Sequence, residues 1–98
     1  MGDSISLGVV DDLGPPASYL TLEPGTRAYY SDGEELGRVE RVLYEADADI
    51  FEGIDVAPGL LARSRFVAAD EVDEIYERGV VLKFDSSRGE SLPDARGR

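Results

Sequence analysis

The sequence predicts a small all-β domain of about six short strands with one helical turn, and three observations support that reading. The first is length: 98 residues hold one modest core, because two cores of half that size would each be too small to stand alone. The second is punctuation. From Gly25 onward, short apolar runs are separated by turn formers at intervals of roughly ten residues, the spacing of a barrel or sandwich. The third is alternation with a period of two inside those runs, as where Ile54 and Val56 alternate with Gly53 and Asp55.

Residues 1–24 read as an N-terminal arm that can supply one extra edge strand where Ile5, Leu7 and Val9 alternate with Ser4, Ser6 and Gly8. Pro15 and Pro16 cannot donate ladder hydrogen bonds, so that strand has to stop before them. Residues 25–84 form the domain proper. Its first strand is Ala28 to Tyr30, followed by a turn at Ser31-Asp32-Gly33 in which Gly33 can take positive φ. A second, longer strand runs from Leu36 to Glu45. Val39 and Val42 are an odd number apart, so both can face the core only if a bulge near Glu40-Arg41 shifts the register by one.

Residues Ala46 to Asp49 make the hairpin loop, and strict alternation in the returning strand puts Ile50, Glu52, Ile54 and Val56 on one face. Phe51, Gly53 and Asp55 then take the other, with Glu52 out of place on the apolar side. Pro58-Gly59 breaks this strand, and Arg65 to Ala68 is a brief fourth. Asp70 to Tyr76 is expected as the helical turn, with Asp70 as N-cap and Val72, Ile75 and Tyr76 facing inward. Val80 to Phe84 is the last strand. Residues 85–98, rich in Ser, Gly, Arg and Asp with a single Leu92, are expected to be a flexible tail.

Composition excludes several chemistries. The chain has no Cys and no His, which removes the thiol nucleophile, the disulfide framework, Cys-ligated metals and the commonest general base. No Gly-x-Ser-x-Gly elbow is present, and adjacent acids such as Glu34-Glu35, Asp70-Glu71 and Asp73-Glu74 read as solvated turns rather than tuned acid–base pairs. Glu45, Asp47, Asp49 and Asp55 offer oxygen ligands to Ca²⁺. However, an EF-hand counted from Glu45 would need Gly where Ile50 stands and Glu where Val56 stands, so the loop reads as solvated. The glycines are scattered singly and form no phosphate cradle. The chain is therefore expected to be non-catalytic, with no cofactor and no metal.

The formal net charge is −11, from 21 acidic against 10 basic residues. That sign repels phosphate backbones, and no basic cluster is visible along the chain: Arg63 and Arg65 flank a loop, while Arg88, Arg96 and Arg98 are balanced by Asp85, Glu90 and Asp94. Direct nucleic-acid binding is disfavoured, and a basic protein partner fits. The start lacks a basic n-region, and no run approaches the ~20 apolar residues of a membrane helix, so a cytoplasmic chain without membrane anchorage is expected. Among the aromatics Tyr29, Tyr30, Tyr44 and Phe51, most are expected in the core. Phe51 is the exception, since alternation turns it outward beside Gly53. Phe51, Gly53 and Tyr44 are the candidate interface residues.

Three pieces of the stretch from Thr26 to Phe84 carry a family likeness. They are Tyr30-Ser31-Asp32-Gly33-Glu34-Glu35-Leu36-Gly37-Arg38-Val39, the returning strand Ile50 to Val56, and Phe66-Val67-Ala68-Ala69-Asp70-Glu71-Val72-Asp73-Glu74-Ile75, with Ala68 where the family often has Pro. Together, in this order, they resemble the PRC-barrel family. The resemblance implies a small PRC-type β-barrel and a non-catalytic module for assembly, regulation or docking, frequently a homodimer, so a self-associating chain that docks onto a protein partner is expected. It transfers no catalytic residues. Alternatives kept beside it are a ribosome-assembly adaptor binding a basic ribosomal protein and, more distantly, an acidic mimic of nucleic acid. The adaptor reading is weakened because the family's maturation factors usually carry a second barrel before this domain, where this sequence has only residues 1–24.

Overall fold

The computed structural model describes residues 13–59 and 62–95. The strand expected within residues 5–10, and Arg96 and Arg98, lie outside the described residues. Six strands form one mixed sheet: β1 (Arg27–Tyr29), β2 (Glu35–Glu45), β3 (Ile50–Ala57), β4 (Arg65–Ala68), β5 (Val72–Tyr76) and β6 (Gly79–Leu82). Their order is β4-β3-β2-β1-β6-β5. β1 and β6 run parallel and every other pair is antiparallel.

The small all-β domain is thus what forms, but the sheet is not closed into the expected barrel. Six flat strands would set β4 and β5 about 24 Å apart, whereas the link from Ala68 to Val72 can span at most about 14 Å. The sheet must therefore curl until its two edges meet at that corner. The edges are occupied by other segments instead of by each other. On the β5 side, the Ala17 amide donates to Ile75 (2.8 Å), and the Glu77 and Arg78 amides donate to the carbonyls of Pro15 (3.0 Å) and Leu13 (2.8 Å). The prolines do not end the pairing, because Pro15 takes part through its carbonyl. On the β4 side, the Phe66 amide donates to Pro93 (2.8 Å) and the Ala95 amide to Ser64 (3.0 Å).

The expected helical turn at Asp70 to Tyr76 is corrected. Ala69–Glu71 form a 3-10 turn with no side-chain cap, and Val72–Tyr76 is the strand β5. Asp70 lies inside the turn, exposed, and caps nothing. The ladder to β6 takes precedence over local helix preference, and Ile75 is the residue of the trio that is buried. The expected flexible tail is corrected as well, for residues 85–95. Ser86–Ser91 is a 3-10 helix and Leu92 is buried in the core, and this apolar side chain docks the segment together with the Phe66 amide on Pro93 and Arg65 on the Leu92 carbonyl.

The core comprises Ala28, Val39, Ile54, Val56, Val67, Val80 and Leu82, all buried, with Tyr30, Leu36, Ile75 and Leu92 completing it. The bulge expected near Glu40-Arg41 is present: Val39 pairs with Val56 and Arg41 with Asp55, leaving Glu40 as the extra residue. Val39 is buried and Val42 packs against the core, as their odd spacing requires. No helix among the described residues is long and apolar enough to cross a membrane.

Candidate interaction surface at the hairpin end

Strict alternation fails in β3, and its failure builds the site. Leu43 pairs with Gly53 but Tyr44 pairs with Phe51, so Glu52 is a second extra residue, this time on the returning strand. This second bulge reverses the facing of everything between it and the loop. Ile50, expected inward, is 55% exposed, and Phe51, expected outward, packs against the core. Glu52, out of place under alternation, is exposed at the bulge instead.

Gly53, expected beside Phe51 at the interface, presents no exposed surface. It is buried, its φ is +149°, and a Cβ there would meet the Val67 carbonyl and come within 2.8 Å of the Phe66 ring. Phe66 lies on the sheet face opposite the main core, pairs across the ladder with Asp55, and closes over this glycine. Gly53 therefore permits both the bulge and the close approach of β4.

Tyr44 and Phe51 are brought together as direct cross-strand partners, and a third aromatic completes the group. The Tyr19 ring stacks on Phe51 at 4.9 Å between centroids with an interplanar angle of 13°, and meets Tyr44 at 5.7 Å. Such pairs contribute about 0.5–1.5 kcal/mol beyond the area they bury. Tyr19 opens a 3-10 turn, Tyr19–Thr21, capped by the Ser18 hydroxyl accepting from the Leu20 amide at 2.9 Å. The turn is held to the sheet by the Ala17 amide on Ile75. The Tyr19 hydroxyl donates to Asp49 Oδ1 at 2.6 Å, and this bond, more than desolvation, raises the Tyr19 phenol above its ordinary pKa. Asp49 itself sits in the loop with φ +58°, a left-handed conformation that aspartate tolerates.

The three large apolar side chains left exposed among the described residues all lie at this end. They are Leu20 (63%) beside Tyr19, Tyr44 (49%), and Ile50 on the other face of the strand end. Around them are the exposed acids Glu45, Asp47, Asp49 and Glu52, and the sequence holds no Lys or Arg from residue 42 to residue 62. Among the described residues no three acidic side chains converge as a metal would need. The sequence reading missed Tyr19, Leu20 and the exposure of Ile50. Glu52 standing on an apolar face was the one local sign of the second bulge, whereas nothing near Tyr19 in sequence announces its stacking on a residue of β3.

Neither protein-family models nor curated proteins yield a match to this chain. The hairpin end holds no imidazole and no thiol, since the sequence contains neither His nor Cys. It offers an aromatic and aliphatic surface inside a ring of carboxylates, suited to desolvating and holding a complementary surface.

Proposed function

We propose that the chain is a non-catalytic protein–protein interaction module of the PRC-barrel kind, docking through the end of the β2–β3 hairpin onto a protein that presents basic groups around an apolar anchor. The observation that carries this reading is the exposure of Tyr44 and Leu20 beside the Tyr19–Phe51 stack and of Ile50 on the other face of the strand end, in a hairpin whose residues 42–62 hold no Lys or Arg. Aromatic side chains held rigid by stacking supply interface area at little entropic cost, and surrounding charge selects the partner and speeds its approach. An isologous dimer through this surface would set Glu45, Asp47, Asp49 and Glu52 against their own copies. That repulsion favours a different protein over a second copy.

The test is affinity capture from the native lysate with wild-type protein, Tyr44→Glu, and Arg63→Ala as a control away from the surface. A basic protein retained by wild type and Arg63→Ala but lost with Tyr44→Glu supports the reading. If that protein is ribosomal, the function is ribosome assembly. The same set of proteins on all three baits rules the hairpin end out as the docking surface.

A further inference from the structure

The fold assembles a cationic site that the sequence, read along the chain, does not show. Arg27 of β1 and Arg38 of β2 are direct cross-strand partners, and Arg78, in the β5–β6 turn, lines the same open groove of about 690 Å³ together with Tyr29. The chain holds only nine arginines under a net charge of −11, so three in one groove is a concentration against the background. Like charges placed directly opposite on a ladder repel, and among the described residues neither arginine forms an ion pair.

The two guanidiniums are differently held. Arg38 Nη1 donates to the Gly25 carbonyl at 3.2 Å, which fixes its fork over the groove. The Arg27 side chain is exposed and makes no hydrogen bond or ion pair among the described residues. Arg78 Nη1 stands 3.5 Å from Glu77, and its guanidinium lies over Gly14, where a Cβ would come within 3.1 Å of it. Glu23 and Glu77 also line the groove. They lower its net positive charge and so disfavour a polyanion, while leaving two forks free of carboxylate for one compact oxyanion.

We propose that this groove binds a small phosphorylated molecule, its phosphoryl group held between Arg27 and Arg38 and its organic part laid against Tyr29. This site is separate from the hairpin end and shares no residue with it. Arginine forks suit a tetrahedral oxyanion because each can give two parallel N–H donors to it. The half-buried Tyr29 ring gives the groove an apolar floor next to those donors.

The experiment is an amide-shift titration of the full chain, so that Asp11 and Asp12, next in sequence to Leu13, are present. Inorganic phosphate and phenyl phosphate are the probes, against sodium chloride at matched ionic strength. The expected result is saturable shifts confined to the amides of Gly25 to Tyr29, Arg38 and Arg78-Gly79, with phenyl phosphate the tighter probe. Arg27→Ala should weaken binding at least about five-fold, with Arg63→Ala unchanged. Arg27 is exposed and its loss relieves a like-charge pair, so the variant folds, and its dispersion of amide signals verifies that. Shifts no larger than those of chloride, or an Arg27→Ala affinity equal to wild type, overturn the site. Equal affinity for the two probes overturns the assignment of the organic part to Tyr29.

Discussion

Asp32 divides its two carboxylate oxygens among three donors. Oδ1 accepts from the Glu34 amide (3.2 Å), and Oδ2 accepts from the Ser86 hydroxyl (2.8 Å) and amide (3.3 Å). The Ser86 hydroxyl bond is the chief reason that its carboxyl is held below the usual value, with the two backbone amides adding to it. A depressed folded value means that the stability Asp32 contributes is present above the ordinary carboxylate pKa and is lost as pH falls through the lowered one. Asp32→Asn should therefore melt below wild type by a margin that is constant above the ordinary carboxylate range and shrinks as pH falls through the lowered value. Melting curves across that range check it, and a margin independent of pH would refute the role. The Asp-Gly turn itself was legible from two adjacent letters, because the physics of the turn is local. Its partner Ser86 lies 54 residues away and could not be read. The same limit hid Tyr19, whose role depends on a ring brought from another segment.

The β2–β3 hairpin shows what local reading captures and where it stops. Alternation located both strands and the loop, and the odd spacing of Val39 and Val42 located the first bulge. The second was missed because a regular return strand, with Ile50, Ile54 and Val56 aligned, looks acceptable when β3 is considered alone. Taken with β2, the bulge-free ladder fails. It would pair Arg41 with Ile54 and Glu52 with Leu43 and turn Arg41, Glu45 and Glu52 toward the core, where an unpaired charge costs several kcal/mol. The two bulges instead bury Val42 and Phe51 and leave those charges outside, at the loss of some ladder regularity. Arg41, Glu45 and Glu52 are thus what excludes the regular register. Replacing all three, Arg41→Val and Glu45→Val with Glu52→Val, should make the two registers comparable in stability, seen as doubled or exchange-broadened amide signals from Val42 to Ile54. A single sharp set at wild-type positions would show that Gly53 and Phe66 alone hold the bulged form.

Across the whole molecule, a curled but unclosed sheet leaves two edges to be managed, and segments flanking the strands manage both. Leu13 packs on Gly79 and is 4% exposed, while Leu92 lies in the core at 2%. Each fixes a stretch of backbone along an edge. Arg88 reinforces the second, pairing with Glu71 at 2.7 Å and lying 4.7 Å over the Phe84 ring. Leu92→Ala should cost about 2–5 kcal/mol in urea denaturation and speed hydrogen exchange at the Phe66 amide, which donates to Pro93 of that segment, and at the Ala95 amide, through which the segment donates to Ser64. A cost below about 1 kcal/mol would mean that Leu92 does not belong to the core. The strand pattern foretold the sheet but not its edges, because proline and a serine-rich run carry little period of their own. The edge covers also have a kinetic meaning. A strand arriving from solution to extend the sheet must displace a resident already tethered at millimolar effective concentration. The flanking segments are therefore competitive inhibitors in cis, and they oppose ladder-to-ladder polymerisation even where the local concentration of this protein is high.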